Sequence, residues 1–305
     1  MFKHILVPLD GSRMAESALP AAAFFAVKFD AVVTLAHIIE KNAPHEIHGQ
    51  SHLTNAAEAE VYLGDTARRA FPAGVRTNFH VHTAEVDNVA ESIAAHADEL
   101  DHDMIVMCSH GRGRALHLFF GSIAQKIIAM GQRPVLVTRP DKGNAVPEFS
   151  CKSLLLPLDG EEDHAQALPV SREFARVCGA KIHLAVVIPG FGDLSGHSAV
   201  TSRFLPGTIS KILEISVQNA DDYLQEVLRE IRSQGFDAGA HVLRGDPATV
   251  IYESARQLQI DLIVMATHGK SGMSAFWSGS VTNKVSSISS IPLLLIPVKN
   301  KAQRA

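Results

Sequence analysis

Two stretches of this chain carry residue types and spacings suited to holding a phosphate. Ala266-Thr267-His268-Gly269 is followed, nine residues later, by Gly279-Ser280. Cys108-Ser109-His110-Gly111 is followed at the same spacing by Gly121-Ser122. Glycines let a backbone approach an anion closely and present its N–H groups, and serine adds a hydroxyl donor. Helical spacing resumes at once, through Ile123, Ile127 and Ile128 in one copy and Val281, Val285 and Ile288 in the other. A helix starting there contributes unpaired N–H groups and the positive end of its dipole. Gly269-Lys270-Ser271 is not the phosphate loop of nucleoside triphosphatases, because that motif requires glycine where Val264 stands. Lys270, Arg112 and Arg114 therefore read as solvated loop cations.

Each loop must be positioned by the apolar run before it, Met104–Met107 or Leu262–Met265, which reads as a buried strand. The pair is part of a longer repeat. Leu6-Val7-Pro8-Leu9-Asp10-Gly11 returns 149 residues later as Leu155-Leu156-Pro157-Leu158-Asp159-Gly160. By the glycine loops the offset has grown to 158, which assigns nine extra residues to the segment around Pro189–Gly196. A repeat this long is a duplicated domain, not a solenoid unit. The expected strands are Lys3–Leu9, Ala31–Ile39, Asn78–Thr83, Met104–Cys108 and Pro134–Thr138, then Ser153–Leu158, Lys181–Ile188, Ala238–Leu243, Leu262–Ala266 and Pro292–Val298. Helices fall between them; one is marked by Leu213, Val217, Ala220, Leu224, Val227, Leu228 and Ile231. Strands without polar alternation are covered on both faces, so each half is an α/β domain with an open parallel sheet. The expected division is residues 1–140, a linker at 141–150, and residues 151–299.

Bulk composition narrows the classes. The chain has 305 residues, 46% hydrophobic and 20% charged, with a net charge of −4. That charge gives no general attraction to nucleic acid or to an anionic membrane. No run approaches the length of a membrane span, and Met1–Pro8 does not read as a signal peptide. Cys108, Cys151 and Cys178 show no metal or disulfide spacing, and a reducing cytoplasm is the expected compartment. Most of the 16 histidines lie in the first half. His45, His48 and His52 would share a face if helical, but a surface cluster or irregular loop is the preferred reading, and no metal site is assigned.

The residues resemble the universal stress protein family. The likeness rests on Pro-Leu-Asp-Gly after strand 1, the His-Gly…Gly-Ser loops, Gly245-Asp246-Pro247 before a helix, and closing strands of Pro-Val-Leu-Val type. It covers both halves and implies a tandem member. Each domain would then be a five-stranded Rossmann-like parallel sheet of order 3-2-1-4-5, helices on both faces, of the adenine-nucleotide-hydrolase type. Strands 1 and 4 would flank the crevice in which such sheets bind ligands. The resemblance implies ATP as cofactor, with Mg²⁺ as an accompanying ion. In the second half it implicates Pro157, Asp159, Val187 (or Ile188), Gly245, Ala266, His268, Gly269, Gly279, Ser280 and Val281, and in the first half Asp10, Gly111, Gly121 and Ser122. Asp10 and Asp159 would meet the adenine or ribose; the competing reading makes each a cap for the following helix. The ATP-binding pattern is Gly-x-x-Gly, nine residues, Gly-Ser/Thr. Cys108 and Ala266 occupy its first glycine, and both are compatible with that place only if its φ is negative. Asp87-Asn88-Val89 replaces Gly245-Asp246-Pro247 in the first half, so the second domain is the better nucleotide candidate.

The resulting expectation is a stress-response regulator that binds an adenine nucleotide mainly in its second domain, with little or slow hydrolysis. A slow hydrolase and an interaction scaffold with other or vestigial ligands are the alternatives; no catalytic set is assigned. Val135–Val137 and Leu293–Ile296 are expected to pair within the chain as a pseudo-dimer, with a homodimer as a further form.

Overall fold

The computed structural model describes residues 1–43, 46–47, 50–51, 53–109, 121–130, 133–140, 148–160, 166–190, 206–267 and 281–298. His45, His48, His52, His110, Gly111, His268, Gly269, Gly279 and Ser280 lie outside these residues, as does most of the 141–150 segment. Contact density divides the chain into two units. The first runs from Met1 to Ser150 and takes in Pro292–Pro297; the second is built chiefly from Cys151–Ala266 and the helix before Pro292.

In the first unit the parallel strands are β1 (His4–Pro8), β2 (Val32–Glu40), β5 (Thr77–Val86), β6 (Met104–Cys108) and β7 (Val135–Thr138). Their order in the sheet is β5-β2-β1-β6-β7, that is, 3-2-1-4-5. Helices α1 (Arg13–Glu16), α2 (Leu19–Phe29), α3 (Ala56–Ala70), α4 (Val89–Glu99) and α5 (Ser122–Met130) connect the strands. Ile5, Leu6, Val7, Val33, Leu35, Ile105, Val106 and Leu136 are buried because helices cover both sheet faces. Phe149 also joins this unit, packing its ring at 5.3 Å from Phe24 and 5.1 Å from Phe25 on α2.

Two features depart from the expected strand map. β5 extends to Val86, past Thr83, because its register on β2 slips between Ile38 and Glu40 and resumes as Glu40 opposite Val86. A two-residue ladder, β3 (Glu46–Ile47) with β4 (Gln50–Ser51), occupies the segment of the first histidine cluster.

The second unit repeats the order with β10 (Ala238–Arg244), β9 (Lys181–Ile188), β8 (Ser153–Leu158) and β11 (Leu262–Thr267). Its helices are α6 (Ala167–Cys178), α7 (Pro206–Ser233), α8 (Pro247–Gln257) and α9 (Val281–Ile288). Leu213, Ala220, Leu224, Val227, Leu228 and Ile231 form the buried stripe of α7, following its apolar spacing. β12 (Leu293–Pro297) pairs antiparallel with β7 inside the first unit, Leu294 opposite Leu136. No helix among the described residues is long and apolar enough to cross a membrane.

Candidate functional site

In the first unit β1 and β6 run side by side, and their connections leave toward opposite ends of the sheet order. A crevice opens at their carboxyl ends, as it does where any doubly wound sheet reverses. It is a cleft of about 90 Å³, room for several waters, lined among others by Pro8, Asp10, His37, Ile38, Val89, Ile93, Met107, Cys108 and Ile123. Five of these are repeat partners of residues chosen in the second half. Pro8, Asp10 and Ile38 stand 149 residues before Pro157, Asp159 and Val187, and Cys108 and Ile123 stand 158 before Ala266 and Val281.

The turn after β1 is fixed by several local bonds. Asp10 Oδ1 accepts from the Ser12 backbone N–H at 2.9 Å and from the Ser12 hydroxyl at 2.6 Å. Ser12 Oγ in turn accepts the Ala15 N–H at 3.1 Å, so Ser12, not Asp10, is the N-cap of α1. The capping alternative for Asp10 is thereby corrected: its carboxylate braces the cap while facing the cleft. Gly11 between them has φ +88°. A Cβ there would lie 2.9 Å from Leu53 Cγ, so both conformation and space call for glycine. Behind the turn, Glu16 accepts from Tyr62 at 3.0 Å and from Arg69 at 2.9 Å, tying α3 to α1.

His37 was invisible to sequence reasoning because it sits inside an apolar strand run. Its buried ring lies between two carbonyls, Nδ1 at 2.8 Å from Leu9 O and Nε2 at 2.9 Å from Leu53 O. It thus joins the end of β1 to the segment over the Asp10 turn. Val186 occupies the repeat position in the second half, so this brace belongs to the first domain alone. No signal in one chain distinguishes it from a packed core histidine.

Cys108 and Ala266 are both strand residues, on β6 and β11. Neither is among the described residues of positive φ. The backbone therefore makes no demand for glycine at either place; what differs is side-chain bulk. Cys108 fills part of the cleft wall, and burial pushes its thiol up to about 11, so it is protonated at neutral pH and poorly nucleophilic. Gly121 and Ser122 stand at the start of α5, where Gln125 N–H donates to Gly121 O at 2.9 Å.

In the second unit, Pro157 lies on β8, and Asp159 follows it, exposed and leading into Gly160 with φ +83°. Burial, then the charges of Asp159 and Glu226, raises the Tyr223 phenol on α7. Val187 is half-buried near the end of β9. Gly245, with φ +136°, donates its N–H to Ile188 O at 3.0 Å, and a Cβ there would meet Val250 Cγ1 at 2.8 Å. Asp246 then caps α8, accepting from Thr249 N–H at 3.0 Å and Thr249 Oγ1 at 2.8 Å. Val281 opens α9, and its neighbour Thr282 donates to Ala266 O at 3.4 Å, fixing the helix start against the strand end. Asp246 also meets Lys284 of α9 at 3.9 Å.

Comparison with known proteins adds an independent observation. A model of the "Universal stress protein family" matches residues 1–139 and again 151–297. A universal stress protein of Synechocystis sp. is 33% identical over 139 residues, 45% of this chain and 85% of the relative. One from Mycolicibacterium smegmatis is 24% identical over 314 residues and spans 96% of both chains. Among solved structures, a universal stress protein from Archaeoglobus fulgidus superposes with a TM-score of 0.69 at 16% identity, covering 97% of each chain.

Proposed function

This chain belongs to the universal stress protein family as a tandem member, and on that premise we propose that it is a stress-response regulator binding ATP or a related adenine nucleotide, mainly in its second domain, with little or slow hydrolysis. Residues 1–140 form the domain with the degenerate site, 141–150 the linker, and 151–299 the domain with the better site. The observation that carries the reading is the convergence of Pro8, Asp10, Ile38, Cys108 and Ile123 on one cleft. Five residues assigned to the second-domain site occupy the repeat positions of that cleft. Its polar groups, Asp10, His37 and Glu40, set in an otherwise apolar lining, match the needs of a ribose beside a planar base.

In the second domain Asp159 takes the ribose or base edge, and the Val187 backbone takes the adenine. Gly269, Gly279, Ser280 and the Val281 N–H surround the phosphates, with His268 in the same loop. Mg²⁺ requires no protein cage, since phosphate oxygens and water supply most of its ligands. Two features support a weaker first site: Cys108 adds bulk where the second domain has Ala266, and Asp10 Oδ1 already accepts two bonds from Ser12.

Calorimetric titration of the full chain with ATP·Mg tests this directly, beside Gly279→Asp and Gly121→Asp. A new carboxylate crowds and repels phosphate, and a loss of tenfold or more in affinity, about 1.4 kcal/mol, is expected for Gly279→Asp. Gly121→Asp should change little. No binding by the unmodified chain, or equal binding by all three proteins, would overturn the reading. ATP turnover in the same samples separates binder from hydrolase.

A further inference from the structure

The first unit contains a histidine cluster away from the cleft. β5 pairs with β2 and is the outer strand of that sheet. His80 and His82 are two apart on it, so their side chains leave the same face. α4, which packs on the neighbouring strand β2, contributes His96, one turn beyond the cleft residue Ile93. The His96 ring centroid lies 4.7 Å from that of His80 and 4.8 Å from that of His82. One nitrogen from each of the three rings falls within 4.8 Å of the others.

Hydrogen bonding settles which atoms can serve. His96 Nδ1 lies 3.2 Å from Glu99 Oε2, and a carboxylate only accepts, so the proton sits on Nδ1. His96 Nε2 then carries a lone pair and accepts from His82 Nδ1–H at 2.9 Å, a bond that a metal ion replaces when His82 gives up that proton or turns its Nε2 inward. His80 Nε2 is buried without a hydrogen-bond partner among the described residues. A buried polar atom left unmet calls for an explanation, and an absent ligand supplies one.

We propose that His80, His82 and His96 form a binding site for zinc, with Glu99 as the positioning residue that orients His96. Three imidazoles without thiolate suit a borderline divalent ion such as zinc, whereas Mg²⁺ and Ca²⁺ prefer oxygen. Tetrahedral ligands at about 2.0–2.1 Å from zinc stand about 3.3 Å apart, so the widest spacing must close by about 1.5 Å. Rotation of the half-buried His80 and His82 rings provides that closure. The fourth position is left to water, and the carboxylate–histidine–metal relay through Glu99 is the usual way such a ligand is held. The ion clips the outer strand to the helix that also lines the cleft.

The test uses the chelator-stripped full chain, titrated with zinc chloride and, separately, with cobalt chloride. One zinc per chain is expected, with a tetrahedral cobalt absorption band and about three imidazoles in the zinc-edge X-ray absorption fine structure. His80→Gln and His82→Gln should each weaken zinc at least 100-fold, and His183→Gln, which removes a ring lying 3.0 Å (Nδ1) from His241 Nε2 in the second unit, should not. Glu99→Gln changes an exposed side chain, and is expected to weaken zinc about 10–100-fold while the fold is kept. Zinc retained at full strength in the His80 and His82 variants overturns the proposal, as does absence of tight zinc in the unmodified protein. If the histidine variants fail to fold, the absorption fine structure of the unmodified chain and the Glu99 variant still decide.

Discussion

Gly11 carries two constraints at once. Its φ of +88° costs a side-chain-bearing residue strain, and Leu53 at 2.9 Å leaves no room for Cβ. Gly74 has φ +99° and open space around it, so it isolates the conformational part. Gly11→Ala should therefore lower stability by at least about 1–2 kcal/mol, and by more than Gly74→Ala, as read from urea midpoints. Equal losses would show that Leu53 yields without cost. The same residue scale explains the limits of reading His37 and His96 from the sequence. A histidine in an apolar run is a routine core residue until its two ring nitrogens are seen against Leu9 and Leu53, or against Glu99 and His82.

Among the elements, the start of α8 is the most explicit. Asp246 accepts two bonds from Thr249, and these bonds hold its carboxyl below the usual carboxylate range. The first half has Asn88 in the same role on α4, with a longer bond of 3.5 Å to Glu91 N–H. Asp-to-Asn exchange thus keeps a cap, so the difference between the two halves lies at Gly245 rather than at the cap. Asp246→Ala should cost about 1 kcal/mol, and Asp246→Asn much less, by thermal unfolding. The folded pKa is depressed, so the contribution is present above the unfolded value of about 3.9 and is lost as pH falls through the folded value. The wild-type advantage over Asp246→Ala should accordingly shrink in acid; an advantage unchanged there would refute the assignment. Helices and central strands were legible because their apolar periodicity is strong. The end of β5 was not, since an outer strand with exposed polar residues and a register slip lacks that pattern.

At the scale of the whole molecule, the first unit includes a strand from the far end of the chain. Leu293, Leu294 and Leu295 of β12 lie opposite Val137, Leu136 and Val135 of β7. A fragment ending at Ser150 would leave that β7 edge open, an invitation to pair with another copy. Such a fragment should show concentration-dependent association by light scattering. A strictly monomeric fragment would show that the β7 edge needs no covering.

The sequence by itself determined the duplication, the α/β class and the presence of tight turns at Asp10-Gly11 and Gly245-Asp246. These are written in local periodicity and in offsets between identical residues, which need no knowledge of the distant chain. The family resemblance implied the strand order, which the sheet shows; the shared cleft of Pro8, Asp10, Ile38, Cys108 and Ile123, and the meeting of His80 and His82 with His96, were decided only by tertiary structure. Each depends on which strands lie side by side and which helix face turns inward. Residues far apart in sequence become neighbours only through the burial of apolar surface that closes the sheet and packs the helices on it.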